Sequence, residues 1–427
     1  MVLTQSGKND GWSVSNVSLR QSPGDASFVT LLRAGLVTLM CSAISMPALS
    51  DTFQPFVQAG IDHDDNLFRT PEGQTRGSNG GSDTARTVGG GTRFELPVSR
   101  QLFSGIAEAV SVKFDHNRQL DHTRKNLRGD WHWFVARNFE GHIGGRYVQE
   151  LPSFSDFNSD QRNLRTSKRR YADGSWRFHS SWRWHAGYAK DEFSYDLASQ
   201  RTSARTEEAK LTGVDYLARS GSTVGVQLRR LEGKYPFRSS FGGTDLFANG
   251  YIQDEAKLNV LWLASGRTQV LFLGGWVQRK QKSDIERAKS GTNARLIVNW
   301  APTGRIKLSG QAWREFSAID GALIDSALND GASAAMTWDF SEKIQGVVDL
   351  KHEDRTFSPY GGSGAQMGWT STSDSSKTHS VGLIYKPLRS ITLKATAFRD
   401  ERAGSVIAGT RSFKANGAAL SAILEFN

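Results

Sequence analysis

The stretch DHDDNLFR, residues 62–69, places three carboxylates, an imidazole and a carboxamide within five consecutive positions. Oxygen ligands at alternating positions are how an EF-hand loop binds calcium, and Asp62, Asp64 and Asn66 would supply them. The pattern then fails, because Leu67 stands where the turn glycine is needed and a glycine stands where the bidentate glutamate is needed. We therefore keep these three residues only as a weak metal-site candidate and expect no cofactor.

A second candidate for chemistry is the pair His179 and Ser181, which an alternating strand would place on one face. A histidine base beside a serine nucleophile resembles the arrangement in outer-membrane phospholipases. No third residue that could orient the histidine can be identified, and the pair lies at a predicted short turn. The only cysteine, Cys41, lies in the N-terminal apolar segment, so the exported chain has no thiol for catalysis or zinc binding. We expect that the protein is not an enzyme.

The N-terminal segment has the features of an export signal. Arg33 precedes the apolar run 34–46, and Ala48 and Ser50 place small residues where a signal peptidase cleaves. This run is too short to span a bilayer, and no later segment reaches 18 consecutive apolar residues. We expect residues 1–50 to be a signal peptide with a mis-assigned N-terminal extension, since the polar part is unusually long. Residues 51–427 would form one domain.

Aromatic residues recur along this domain with a period close to 40. Each stands near the end of an apolar segment that is followed by a short polar turn, and successive members are 38 to 47 residues apart. The series comprises Phe94, Trp133, Phe178, Tyr216, Trp262, Trp300, Trp338 and Tyr385. A period of this length indicates repeated supersecondary units, and each unit here divides into two long strands rather than the four short strands of a propeller blade.

The strands between these aromatics alternate between apolar and polar residues. In EAKLNVLW, residues 255–262, every second residue from Ala256 to Trp262 is apolar, and the other face carries Glu255, Lys257 and Asn259. Segments 126–133 and 305–312 divide in the same way. Ionisable groups at every second position are costly in a protein core but are accepted in a water-filled lumen, whereas the apolar face suits lipid. The aromatic series then fits the girdle that Trp and Tyr form at a membrane interface.

The number of segments predicts the fold class. Eight short turns join sixteen strands, and segments 53–61 and 415–426 add one strand at each end. We predict an all-β, transmembrane, antiparallel up-and-down β-barrel of the outer membrane with about 18 strands, 16 being the alternative. Strands of about 9 to 11 residues would be joined on the extracellular side by long polar loops. The last strand ends on Phe426, which resembles the signal read by the outer-membrane assembly machinery, although Asn427 follows it.

The charge distribution predicts the partners. The chain carries a formal net charge of +10, and residues 1–50 hold three basic and two acidic residues, so the exported part carries +9. This excess suits an anionic partner, and export argues against nucleic acid. The basic segment 162–170, placed in a loop 152–170, would bind lipopolysaccharide phosphates or an acidic sugar chain, the alternative being a solvated loop. The residues expected to line the lumen are Arg128, Asp130, His142, Arg146, Arg183, Glu255, Lys257, Arg305, Lys307, Asp349 and Lys351.

The first strand, FQPFVQAGIDHDDNLFR, carries an Asp-Asp-Asn-aliphatic-aromatic-Arg motif at its outer end. With about 18 strands and a terminal aromatic, it resembles a group of β-barrel porins, and more narrowly the EpsL-like outer-membrane proteins of exosortase-associated exopolysaccharide biosynthesis. This resemblance implies a part in exporting an extracellular polysaccharide, together with periplasmic export partners and the lipid of the outer membrane. It carries over no catalytic residue.

Three functions remain open from the sequence. The first is export of an extracellular polysaccharide through an aqueous lumen, which a barrel of this size can provide. The alternative is a general diffusion porin for small, preferentially anionic solutes. A third hypothesis is a structural or adhesion barrel that does not conduct.

Overall fold

The computed structural model of the protein describes residues 52–74, 76, 79–155, 159–238, 249–282, 288–317, 324–359, 372–405 and 408–426. The predicted signal peptide, residues 1–50, lies outside the described residues. The strands in chain order are β1 (Phe53–Asp64), β2 (Asp83–Val98), β3 (Gln101–Phe114), β4 (His122–Val135), β5 (Phe139–Glu150), β6 (Arg165–His179), β7 (Trp182–Tyr195), β8 (Arg205–Leu217), β9 (Thr223–Lys234), β10 (Gly250–Ser265), β11 (Thr268–Gln281), β12 (Ala288–Trp300), β13 (Ile306–Ser317), β14 (Ile324–Asp339), β15 (Ile344–Pro359), β16 (Thr372–Leu388), β17 (Ile391–Ala403) and β18 (Phe413–Glu425).

These strands close into one antiparallel barrel. Each strand pairs with the next along the chain, from β1 with β2 to β17 with β18. The last strand then returns to the first, with Glu425 opposite Phe56 and Gly417 opposite Asp64. Eight short connections lie at one end of the barrel and nine longer ones at the other. The predicted fold class and the count of 18 strands are confirmed.

In the part of the chain that the structure describes, helical structure is confined to three 3-10 segments in the longer connections, Asn79–Gly81, Arg118–Leu120 and Ala198–Ser203. Within the described ranges, no helix has the length and apolar content needed to cross a membrane.

The outer face of the wall is apolar, and aromatic rings gather at its short-turn end. Leu228, Leu258 and Trp262 are among many large apolar side chains exposed there. Aromatic side chains on neighbouring strands pair across this end, for example Trp182 with Tyr216 at 5.4 Å between ring centroids and Phe139 with Trp176 at 5.8 Å. Such an apolar band with an aromatic border is what lipid contact requires.

The strands are longer than the sequence pattern predicted, at 12 to 17 residues. The additional residues lie at the long-loop end, where outward positions become charged, as at Arg170 and Arg230. Beyond the apolar band both faces of a strand meet water, so the apolar–polar alternation that marks a strand disappears. The prediction that the loop 152–170 extends to residue 170 is therefore wrong, because β6 begins at Arg165.

An apolar core fills part of the barrel interior at the long-loop end. It is built on inward residues of β3, Val110, Val112 and Phe114, and is covered by Phe68 of the first loop and Phe154 of the third. The rings of Phe68 and Phe154 meet edge to face, with their centroids 5.1 Å apart. The inner face of β3 can be apolar at this end because two loops fold into the barrel and cover it.

Candidate functional site

Three arginines form a row on the inner wall, each directly opposite the next on adjacent strands. Arg128 of β4 pairs in register with Arg146 of β5, which pairs with Arg169 of β6. The row ends at Asp191 of β7, whose carboxylate accepts a hydrogen bond of 2.7 Å from Arg169. Arg128 is exposed although it points inward, so water reaches this part of the lumen. We call Arg128, Arg146 and Arg169 the arginine row; directly opposed like charges repel, which makes the row attractive to anions.

A polar network lies beside the arginine row. Nδ1 of His142 is 2.9 Å from Oδ1 of Asp130, and the hydroxyl of Tyr171 donates to Oδ2 of the same carboxylate. The ring of His132 stacks on that of His142, with 4.1 Å between centroids. Both oxygens of Asp130 therefore have hydrogen-bond partners in this network, and Arg128 of the row also lies close enough to interact with Asp130 and Tyr171.

Another part of the inner wall, on β9, β10 and β11, holds charges that are buried instead. Glu255 and Lys257 of β10 are only 3% and 5% exposed. Nζ of Lys257 is 2.7 Å from Oε2 of Glu255, while Oε1 accepts hydrogen bonds from Arg229 at 3.0 Å and from Gln253 at 2.5 Å. The sequence placed Glu255 and Lys257 among the lumen-lining residues; they face inward but are tied into a closed ion cluster.

The cluster continues to β11 through a stacked arginine. The guanidinium carbon of Arg279 lies 3.6 Å from the ring centroid of Tyr251, and Nη1 donates to Gln253 at 3.1 Å. The Tyr251 hydroxyl donates to Glu207 at 2.8 Å. Gly233 stands opposite Tyr251, and a Cβ there would come within 2.2 Å of the ring, so only glycine leaves room for it. Arg229, Tyr251, Gln253, Glu255, Lys257 and Arg279 are called the buried charge cluster below.

Arg183 is also held by the wall. Its Nη2 donates to Asp215 of β8 at 2.8 Å and its Nε at 3.1 Å. Asp215, which is 1% exposed, accepts a further hydrogen bond of 2.8 Å from Asn259. The pairing leaves Arg183 little freedom to meet a solute.

Four of the predicted lining residues lie toward the short-turn end. Lys307 of β13 and Asp349 of β15 are exposed on inward positions, and Lys351 approaches Glu353 at 3.4 Å. Arg305 lies in the connection before β13 and borders a cavity of about 400 Å³ together with residues of the short connection between β14 and β15 and of the adjoining strands. These residues are separate from the arginine row and do not form one site with it.

The third loop reaches across the barrel. Nη1 of Arg402, an inward residue of β17, donates to the carbonyl oxygen of Ser155 at 2.6 Å. The loop that carries Ser155 leaves from β5, and five strands stand between β5 and β17 on the shorter way round the wall. Together with the contact between Phe68 and Phe154, this bond narrows the lumen near its long-loop end.

The residues DHDDNLFR attach the first loop to β17 and β18, next to the place where β18 pairs with β1 and closes the barrel. Arg69 contacts Asp64 at 2.7 Å and Asp400 of β17 at 3.2 Å, and the Asn66 amide donates to the carbonyl of Lys414 at 2.9 Å. Burial lowers the pKa of Arg69, but the two carboxylates raise it by more, so the guanidinium stays charged. Asp64 and Asn66 are thus engaged by protein groups. Asp62 faces inward beside them, and the described residues contain no group of three or more His, Cys, Asp or Glu able to hold a metal.

The pair His179 and Ser181 lies at the turn between β6 and β7. The backbone N–H of Ser181 donates to Nδ1 of His179 at 3.2 Å; His179 is exposed and Ser181 is half-buried. In this arrangement the imidazole caps a turn, and its nitrogen is directed at the backbone rather than at the serine hydroxyl.

Two functional residues escaped the sequence reasoning. Arg169 lies in the run Lys168-Arg169-Arg170, which was placed in a loop; as a strand, the run sends Arg169 inward and its two neighbours outward. A period-two pattern was therefore present there, hidden because all three residues are basic. Arg402 gave no signal, since its role depends on a loop 247 residues away in sequence.

Comparisons with known proteins give weak similarities. No protein-family profile matches the chain, and no curated protein matches it either. Among solved structures, the outer membrane protein OpdK of Pseudomonas aeruginosa aligns with a TM-score of 0.46 and 12% identity, covering 88% of this chain and 99% of that one. OccK2 of the same organism aligns with a TM-score of 0.45 and 12% identity, covering 88% of this chain and 98% of that one. OccAB3 of Acinetobacter baumannii aligns with a TM-score of 0.45 and 12% identity, covering 88% of this chain and 99% of that one. Similarity at this level identifies no shared substrate, and the resemblance to EpsL-like proteins gains no support.

Proposed function

We propose that the protein is an outer-membrane channel for small, preferentially anionic solutes. The observation that carries this proposal is the arginine row, in which Arg128, Arg146 and Arg169 oppose one another on the inner wall and Arg128 reaches lumen water. The apolar outer band and aromatic border support insertion in a membrane, and β-barrels of this type belong to outer membranes.

The expected interaction between the arginine row and an anion is weak enough to let the anion pass through the channel rather than remain bound. Two unit charges about 4 Å apart interact by about 1 kcal/mol in bulk water. Several weak, adjacent sites of this kind can bias which ions enter while still letting them leave. The proposed function therefore requires no covalent chemistry and no cofactor.

The narrowing of the lumen favours small solutes over a polysaccharide. The third loop is held against β17 by the hydrogen bond between Arg402 and Ser155, and its Phe154 is packed into the apolar core. A sugar chain would need a wider path past this loop than small ions need. For polysaccharide export, the first of the three functions considered, the described part of the structure offers no supporting observation comparable to the arginine row.

Planar-bilayer recordings test the proposal. We expect the exported part of the chain to conduct, and a gradient of KCl to give a reversal potential on the chloride-selective side. The double variant Arg128→Ala/Arg146→Ala should shift that potential toward the cation-selective side, because it removes two of the three opposed charges. The matched control Lys125→Ala, an outward lysine of β4, should leave it unchanged.

Three results would contradict the proposal. The first is absence of conductance, which would favour a structural barrel. The second is equal selectivity in wild type and double variant. The third is passage of purified exopolysaccharide into liposomes as fast as passage of chloride, which would restore polysaccharide export.

A further inference from the structure

Four basic side chains crowd the outer face of β6, β7 and β8 just beyond the apolar band. Arg170 of β6 stands directly opposite Lys190 of β7, and Lys168 lies two residues from Arg170 on the same face. Lys210 of β8 stands opposite Tyr188, the outward residue next to Lys190. We call Lys168, Arg170, Lys190 and Lys210 the outer basic cluster.

The spacing brings these charges close together. Directly opposed residues on antiparallel strands have Cα atoms about 4.5 to 5.5 Å apart, and alternate residues on one strand are about 7 Å apart. Like charges opposite one another weaken a strand pair unless a counter-charge sits between them. The pair Arg170 and Lys190 therefore calls for an anion.

The protein supplies only part of that counter-charge. Lys190 contacts Glu192 at 3.5 Å and Glu208 at 3.4 Å. Lys168, Arg170 and Lys210 are exposed and have no ion-pair partner within the described part of the chain. Four cations thus face two carboxylates, which leaves two positive charges for an outside ligand.

At two other places around the barrel, an outward arginine near the edge of the apolar band is neutralised within the wall. Arg230 of β9 pairs with Asp254 of β10 at 2.6 Å, and Arg314 of β13 pairs with Asp330 of β14 at 2.9 Å. Both of those arginines stand directly opposite their carboxylates. The outer basic cluster instead presents cation against cation. Arg86 of β2 and Lys113 of β3 also stand opposite each other, but there Arg86 pairs with Asp115 at 2.9 Å.

The cluster also lies where lipid headgroups would be. Below it, the outward residues of β7 are Tyr188, Ala186, Trp184 and Trp182. Tyr188 is 39% exposed at the border between this apolar surface and Lys190, a position that tyrosines prefer at a membrane interface. The long loops are on the same side, which is the outer side in barrels of this type.

We infer that the outer basic cluster binds the phosphate groups of a phosphorylated lipid in the outer leaflet. Arginine holds phosphate through paired N–H groups, and lysine adds point charge around it. A phosphomonoester carries close to two negative charges, which matches the two that the wall leaves unbalanced. This inference concerns the lipid-facing surface and stands independently of the proposed channel function.

Binding of bis-phosphorylated lipid A to the folded, detergent-solubilised protein tests the inference. We expect native mass spectrometry to show lipid A retained by wild type and retention at least tenfold lower in Lys168→Gln/Arg170→Gln/Lys210→Gln. The control Lys113→Gln/Lys280→Gln/Lys377→Gln removes the same number of exposed, outward positive charges, here from β3, β11 and β16, and should bind as wild type. Heat-modifiable migration on a gel confirms folding of each variant, and Arg170→Gln alone serves if the triple variant does not fold.

The opposite outcomes overturn the inference. Equal retention by the cluster variant and wild type would show that these cations do not hold the lipid. Equal loss in the control variant would show an effect of total charge only. Equal binding of dephosphorylated lipid A would exclude phosphate recognition, and displacement of lipid A by millimolar inorganic pyrophosphate would identify a site for free phosphate rather than for lipid.

Discussion

The inner wall has two charged regions that the same alternation of residues produces and that differ in their access to water. In the arginine row, Arg128 is exposed and stands opposite another arginine. In the buried charge cluster, Glu255 and Lys257 are almost fully covered and contact each other at 2.7 Å. Both regions occupy inward positions of β-strands. They differ in the side chains around each charge, which decide whether the charge is neutralised and covered or left facing water.

This difference divides the wall by role. Charges that neutralise one another inside a covered site hold strands together, and losing one partner leaves the other without compensation. Charges of one sign that face water contribute little to stability but set the potential that a passing ion meets. Stability and selectivity should therefore respond to different residues.

The largest expected effect is on stability, from Glu255→Gln. The substitution keeps the shape of the side chain but leaves Lys257 and Arg229 without the carboxylate they share. Breaking a buried pair in this way costs about 3 to 5 kcal/mol. The temperature at which the folded band converts to the unfolded band on a gel should fall clearly below that of wild type.

The matched control is Asp349→Asn, which removes an exposed inward carboxylate from β15. Substitutions at such positions usually change stability by no more than about 0.5 kcal/mol. If both variants lost the same stability, the distinction between covered and water-facing charges on the inner wall would be wrong.

A smaller effect is expected from Gly233→Ala. The added Cβ would lie 2.2 Å from the Tyr251 ring, so the ring must move and its hydrogen bond to Glu207 is strained. Overpacking of this kind costs about 1 to 3 kcal/mol. Gly129 of β4 has nothing within 4 Å of the corresponding Cβ position, so Gly129→Ala should leave the unfolding temperature unchanged or slightly raised. Equal destabilisation by the two substitutions would contradict the close packing at Tyr251.

The sequence predicts which residues share one face of a strand, but it does not predict whether that face contacts water or other side chains. Period-two alternation is local, so it predicted correctly that Glu255 and Lys257 share one face of a strand opposite Leu258. Whether such a face meets water depends on side chains of other strands, such as Arg229 and Gln253, whose positions the local pattern does not contain. The narrowing by the third loop was equally inaccessible, because the bond between Arg402 and Ser155 links distant parts of the chain.

The smallest expected effect separates the two regions by their response to salt. Raising KCl from 0.1 to 1 M shortens the screening length from about 10 Å to about 3 Å, which weakens interactions between exposed charges far more than those between covered ones. We expect the preference for chloride over potassium to decline toward one over this range, because Arg128 acts through water. The unfolding temperature should change little, since Glu255 and Lys257 are in direct, covered contact. A selectivity that salt does not alter would mean that the arginine row binds anions in a dehydrated site, and the row would then resemble the buried charge cluster more than it differs from it.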